Sequence, residues 1–399
     1  MSQGALSDIT VLDMTRVLSG PFAATWLGEM GANVIKIEIP NGGDESRRNP
    51  PFSPNGTSAF NTTINRNKRS ITLDLKKEEG KEIFRELVKQ ADVVLENFRP
   101  DVMDRLGLGY EDVKKVNERI IYATISGFGQ TGKYAKRPAY DIVAQGMGGI
   151  MSVTGIDGGE PNRVGASVAD VTGGMNFVIG ILAALHARSI TGKGQCVDIA
   201  LVDSVLALMP SENMRYYISG KKVPRLGNRY LGNAPYGAFK AKDDYFVLAC
   251  GSNPLFYKFA ADVLKRPELC EDERFRIMAN RSDNYPLVKE FVEEWASQHT
   301  AKECVDILLA AGIPAGPIYD MDDIVNDDYF TREREMLVEM EQPGIGKLTV
   351  TNNPIRLSET KSAIRRPAPL LGQHNAEVYG QWLNYGEAKL EELKSKGVI

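Results

Sequence analysis

The chain has 399 residues, 43% of them hydrophobic and 25% charged, the proportions of an ordinary globular protein, which excludes a disordered or collagen-like chain. Its 48 Lys and Arg against 52 Asp and Glu give a net charge of -4, so there is no global positive field to hold nucleic acid or an acidic membrane surface. Any anion site must be local.

Short β-branched runs alternate with amphipathic stretches from the start. Ile9 to Met14 reads as a buried strand, Phe22 to Met30 as a helix behind Gly20-Pro21, and Asn33 to Ile37 as a second strand, which together make a βαβ unit. A Gly-, Pro- and Asn-rich loop fills Pro40 to Gly56. The alternation then resumes with strand Ser70 to Leu75, helix Glu78 to Gln90, and strands Asp92 to Glu96 and Arg119 to Ser126. A mostly parallel sheet is the expected solution.

Asp170 opens a long apolar helix through Ala187, followed by strand Gln195 to Ala200 and a helix predicted from Leu201 to Ile218. The pattern then changes. Tyr236 to Lys240 and Tyr245 to Cys250 read as an antiparallel hairpin, with helical stretches to Gly312, so a smaller domain is expected over residues 225–325. Residues 1–224 form the first part of a large domain, and 326–399, ending in a helix from Asn375 to Lys396, are expected to return to it. The longest apolar runs, such as Phe177 to Leu185, fall short of a bilayer span of ~20 residues. The opening MSQGALSDIT lacks a signal pattern, so a cytoplasmic location without membrane association is expected. Three histidines far apart and four cysteines without zinc or redox spacing argue against a metal site.

Gly127 to Gly132 spells G-x-G-x-x-G after a strand, but KYAKRP breaks the helix a dinucleotide site requires, leaving a glycine turn beside a ligand cleft. Basic residues gather in Asn65 to Arg69 and at Lys76, Lys77, Arg99, Arg105, Lys133, Lys136 and Arg137, several just after strands, where phosphates bind in open parallel sheets. Asp170 is placed as a helix N-cap. It also suits a nucleophile: the helix dipole would hold it ionised, Gly173 and Gly174 leave room for a substrate, and an ionised Asp needs no base to attack a thioester. Arg16 and Arg229 are candidates for an acceptor carboxylate, and Asp141 either orients its neighbours or caps a helix at Ile142.

The blocks VLDMTRVLSGPFAATWLGEMGANVIKIE, NKRSITLDLKKEEG, DVVLENFRPDVMDRLGLGY, SGFGQTG, AYDIVAQGMGG, ASVADVTGG, GNRYLGNAPYGAF and RPAPLLGQHN, in this order along nearly the whole chain, resemble the family III CoA-transferases. The resemblance implies an α/β subunit with a Rossmann-like large domain and a smaller α+β domain, two such chains interlocked in a homodimer, and an aspartate nucleophile at Asp170. It implies coenzyme A as a co-substrate, with no permanently bound cofactor and no metal. By matching motif, the CoA contacts fall on Leu18, Ser19, Leu73, Lys76, Asn97, Phe98, Arg105, Arg137 and Tyr140.

On this reading CoA passes from an acyl-CoA to a carboxylic acid through anhydride and thioester intermediates on Asp170, with backbone N–H groups near Gly173, Gly174 and a small-domain loop stabilising the oxyanions. Leu18 and Ile39 stand where formyl-CoA transferases carry Gln and Arg, and GNRYLGNAPYG where they carry a glycine run, which points away from oxalate and formate. The alternatives are an α-methylacyl-CoA racemase, whose His-Asp pair is here Tyr140-Asp141, and an acyl-CoA binding protein without turnover.

Overall fold

The computed structural model describes residues 4–399, which divide into two units. Among the described residues, the first comprises 4–150, Arg163–Ile218 and Asp328–Ile399, and the second Met151–Asn162 and Ser219–Asp327.

The first unit is built on six parallel strands: β1 (Thr10–Asp13), β2 (Asn33–Glu38), β3 (Lys68–Thr72), β4 (Val93–Glu96), β5 (Ile121–Ser126) and β6 (Cys196–Ala200). Their order is β3-β2-β1-β4-β5-β6. The chain winds outward from β1 in one direction and from β4 in the other, so the loops after these two strands part and open a crevice at their carboxyl ends. β1 to β5 are buried on both faces, their side chains alternating between two cores, whereas the edge strand β6 is partly exposed. Val11, Val34, Val93 and Ile121 face the helices Ser19–Glu29 and Val168–Thr191. Leu12, Ile35, Val94 and Tyr122 face the helix Glu78–Val88 and the C-terminal residues Val378, Tyr379 and Leu393.

Several boundaries differ from the sequence reading for local reasons. The helix predicted from Leu201 to Ile218 is two helices, Leu201–Ala207 and Pro210–Ser219, because Pro210 lacks the N–H that would continue the first. The final helix is broken between Leu383 and Glu387, where Asn384 takes φ 56. The loop from Pro40 contains a short 3-10 turn, Glu45–Arg48, and β3 starts two residues earlier than expected. Helix Val168–Thr191, with 24 residues, is by length and composition long enough to cross a membrane, contrary to the sequence reading. Its length is hidden in sequence by interspersed Gly, Thr and Asn. Here it packs against helices Ser19–Glu29 and Leu201–Ala207 and against β5 and β6.

The second unit holds a three-stranded antiparallel sheet, β7 (Tyr236–Lys240), β8 (Tyr245–Ala249) and β9 (Ala315–Pro317), over an aromatic core including Phe239, Phe246, Phe256 and Phe291. A further hairpin, β10 (Leu337–Gln342) with β11 (Gly346–Thr351), belongs to the first unit.

Candidate active site

The crevice between β1 and β4 holds two neighbouring cavities. After β1 the chain runs through Arg16, Val17 and Leu18 into the helix beginning at Ser19. Gly20 lets this turn close, because a Cβ there would lie 2.4 Å from the Thr15 side chain. After β4, Asn97 ties the two loops together: its Oδ1 accepts from Arg16 N at 2.8 Å and its Nδ2 donates to Arg16 O at 2.7 Å. Glu96, pushed up to about 8 mainly by burial, accepts from Phe98 N at 2.7 Å and fixes the next residue. The Arg16 guanidinium lies 5.1 Å from the Phe98 ring and pairs with Glu45 at 2.9 Å.

Asp170 reaches the first cavity, of 180 Å³, from the start of helix Val168–Thr191, alongside Leu18, Ser19, Asn97, Phe98, Arg137 and Tyr140. The second cavity, of 430 Å³, is lined by Leu73 and Lys76 with Ile37, Ile39, Phe98 and Leu106. Thus the structure gathers most of the residues named from the motifs around one crevice. Arg105 lies beside it, exposed, with its Nε donating to Asp101 O at 3.1 Å. Arg229 belongs to the second unit, where its guanidinium stacks over Tyr285 at 4.8 Å.

Asp170 is not the N-cap. That position is Ser167, and Asp170 is the third residue of the helix. Asp141, the first residue of helix Asp141–Met147, satisfies the exposed N–H groups instead: its Oδ1 accepts from Ala169 N at 2.9 Å and Asp170 N at 3.4 Å. Its Oδ2 accepts from Gln145 Nε2 at 2.7 Å. The Asp170 carboxylate is thereby left to line the cavity. Burial, with the Asp141 charge adding to it, pushes Asp170 up to about 7, the reverse of the dipole effect expected from the sequence.

Gly173 and Gly174 also act differently from expectation. Residues this far into a helix donate their N–H to the carbonyl four residues back, so they offer no oxyanion donor. Their role is close packing. A Cβ on Gly173 would lie 2.6 Å from the Leu201 side chain, and one on Gly174 would lie 2.8 Å from both Ser19 O and Phe22 Cδ1. Gly174→Val is therefore expected to lower stability by about 1–3 kcal/mol, read as a shifted urea midpoint, by prising this helix from the one carrying Ser19.

The basic cluster near Arg69 is structural rather than ligand-binding. Arg66 pairs with Glu29 at 2.6 Å, Lys68 with Asp13 at 2.8 Å and Arg69 with Glu377 at 2.7 Å. Of the basic residues at strand ends, Lys76, Arg99 and Arg137 line the cavities. The glycine turn is beside the cleft: Gly127 lines the first cavity, and a Cβ there would lie 2.4 Å from Ala139 Cβ. Val17, Glu45 and Leu201 also line the cavity without having been singled out by sequence: Val17 lies inside the first motif but carries no chemistry-bearing group, Glu45 falls outside the motifs, and the place of Leu201 depends on helix packing.

The sequence profile of CoA-transferase family III matches residues 6–375. The chain is 41% identical over 378 residues to the acetyl-CoA:oxalate CoA-transferase of Acetobacter aceti, covering 94% of this chain and 95% of that protein. It is 38% identical over 400 residues to the succinyl-CoA:glutarate CoA-transferase of Mus musculus, covering 100% of this chain and 91% of that one. A CAIB/BAIF family protein from Brucella suis has a similar crystal structure, with a TM-score of 0.83 and 37% identity over 96% of this chain and 100% of that chain.

Proposed function

The chain belongs to CoA-transferase family III, and from that membership we propose that it moves CoA from an acyl-CoA donor to a carboxylic acid acceptor through covalent intermediates on Asp170. The observation that carries this reading is the Asp170 carboxylate lining a cavity at the switch point of a parallel sheet, beside a larger cavity suited to the nucleotide end of CoA. Leu73 and Phe98 offer apolar surface to the adenine, and Lys76 and Arg99 offer charge to its phosphates.

The Asp170 carboxylate attacks the donor thioester carbonyl, the C–S bond breaks, and CoA thiolate leaves a mixed anhydride. The thiolate attacks the Asp170 carbonyl carbon, releasing the donor acid and forming an aspartyl-CoA thioester. The acceptor carboxylate attacks that thioester and expels the thiolate, giving a second anhydride. The thiolate then attacks the acceptor acyl carbon, which restores the Asp170 carboxylate and yields the new acyl-CoA. The thioester energy is retained, so no ATP is consumed. Developing oxyanions need preorganised donors, and the first turn of helix Ser19–Glu29, which has no side-chain cap, presents N–H groups beside the cavity-lining Leu18 and Ser19.

The two named relatives act on oxalate and on glutarate, so short dicarboxylic acids are the acceptors to test first, with Arg16 and Arg137 lining the first cavity to receive a second carboxylate. Ile179 and Ile190 on helix Val168–Thr191 and Met214 and Ile218 on helix Pro210–Ser219 are 63%, 74%, 59% and 86% exposed, apolar side chains that we read as covered by a second copy in a homodimer. Incubation with a panel of acyl-CoAs and acids, followed by mass analysis of the thioesters, should show new acyl-CoA species in equal amount to the donor lost. Exchange of the α-proton without acyl transfer would instead indicate a racemase, and ligand binding without either would indicate a binding protein.

A further inference from the structure

Beneath the first cavity, with Asp44 also on the wall of the second, lies a buried ionic network that takes no part in the transfer steps. Asp13, Lys36, Asp44 and Lys68 are 0%, 0%, 2% and 1% exposed. Lys68 pairs with Asp13 at 2.8 Å and Lys36 with Asp44 at 3.0 Å. Buried pairs of this kind are weak devices for stability alone, because desolvation offsets most of the attraction. What distinguishes these is where their remaining bonds go. Lys36 Nζ donates to Thr15 O at 2.8 Å, Asp13 Oδ1 accepts from Thr15 N at 2.9 Å, Asp44 Oδ1 accepts from Val17 N at 3.1 Å, and Lys68 Nζ donates to Pro21 O at 3.0 Å. All four charges hold one segment, Thr15 to Pro21, which forms a wall of the cavity through Arg16, Val17, Leu18 and Ser19.

In the middle of that segment Val17 has φ 69. A β-branched residue in the left-handed region is strained, and such a conformation persists only where its surroundings enforce it. Asp44 supplies the bond on the Val17 N–H and is itself held in place, with Oδ1 also accepting from Ser46 N at 2.9 Å and its own N–H donating to Glu38 Oε1 at 3.1 Å. Burial alone raises its pKa, but Lys36 and the N–H groups of Ser46 and Val17 outweigh that and hold it down at about 2, so it remains charged.

We propose, resting on the reading that this cavity takes acyl-CoA, that Asp44 is a positioning residue: through the Val17 N–H it keeps Val17 left-handed and so presets Leu18 and Ser19 for the thioester end of CoA. The segment is ordered before the ligand arrives. Without Asp44 it relaxes and must be re-ordered on binding, a cost shared by bound substrate and transition state, so the loss falls on KM rather than kcat.

The test compares wild type, Asp44→Ala and the double variant Asp44→Ala/Val17→Gly for CoA affinity by calorimetry, for KM and kcat with an acyl-CoA donor, and for urea stability. Asp44→Ala is expected to raise KM and the CoA dissociation constant about ten-fold, with kcat within about three-fold of wild type. Glycine enters the left-handed region freely, so Val17→Gly should recover at least about three-fold of that loss. A purely structural role predicts instead that Asp44→Ala lowers the urea midpoint while the folded protein keeps wild-type KM and CoA affinity. Should Asp44→Ala fail to fold, Asp44→Asn gives the complementary test: its Oδ1 still accepts from Val17 N while the charge facing Lys36 is lost, so KM and CoA affinity should stay within two-fold of wild type even as the urea midpoint falls, and a ten-fold loss there overturns the proposal. A folded Asp44→Ala variant with KM and affinity within two-fold of wild type, or no recovery with Val17→Gly, overturns the proposal alone. A wild-type protein without affinity for CoA overturns the functional reading and this proposal with it.

Discussion

Asp170→Ala is expected to lose acyl exchange by roughly 10⁴-fold or more while keeping CoA affinity within a few-fold of wild type. The size of the loss follows from what else lines the cavity. Of its two carboxylates, Glu45 is held in an ion pair with Arg16, and only Asp170 stands at a helix start with its backbone capped by another residue. The hydroxyls of Ser19, Ser126 and Tyr140 would require a general base to become nucleophiles, and no histidine lines the cavity to serve. CoA affinity survives because the second cavity contains no atom of Asp170. Covalent trapping provides the direct check. With a competent acyl-CoA, hydroxylamine should convert the aspartyl thioester to a hydroxamate on the peptide containing Asp170, and the alanine variant should give none. Turnover retained by Asp170→Ala, or a hydroxamate at another residue, would remove the assignment.

How much of this was readable beforehand varied with the range of the interaction. The alternation of Val11 with Leu12, Val34 with Ile35 and Val93 with Val94 is a two-residue period set by the pleat, so the doubly covered parallel sheet was legible in sequence. Motif resemblance then carried Leu18, Ser19, Leu73, Lys76, Asn97, Phe98, Arg137 and Tyr140 to one crevice. Local pattern gave no such help where partners are distant. Asp141 caps Ala169 from 28 residues away, and Lys68 meets Asp13 across 55. A lysine in the run NRNKR reads as a surface charge until the strand order places β3 two strands from β1 and turns its side chain inward. The same limit applies to Gly173 and Gly174, whose spacing fits both an open cleft and a close helix contact, and only packing distances separate the two.

Asp170→Asn is expected to make the protein more stable at pH 8, and the sign follows from where the carboxyl titrates. In the folded chain burial and Asp141 raise it from 3.8 to about 7, whereas in the unfolded chain it returns to the ordinary range. Below pH about 4 both forms are protonated and the group contributes nothing. Between about 4 and 7 the unfolded chain releases its proton while the folded chain keeps it, so stability falls as pH rises. Above 7 the penalty is complete, at most about 4 kcal/mol. Asparagine carries no such penalty, so the variant should gain about 1–4 kcal/mol over wild type in urea denaturation at pH 8, and the gain should vanish by pH 4. The same titration should appear in wild-type kinetics as an acid limb in kcat/KM near pH 7, since the free enzyme needs the ionised nucleophile. Asp141→Asn retains an oxygen for Ala169 N but removes the charge, and should move that limb to lower pH. The two experiments constrain each other. If Asp170→Asn and wild type were equally stable at pH 8, the carboxylate would have to be well solvated in the folded chain, and the acid limb would then fall near 4 rather than 7. A nucleophile that destabilises its own fold is the arrangement in which charge on Asp170 is most readily given up to an acyl group, because forming the anhydride or thioester neutralises the buried charge.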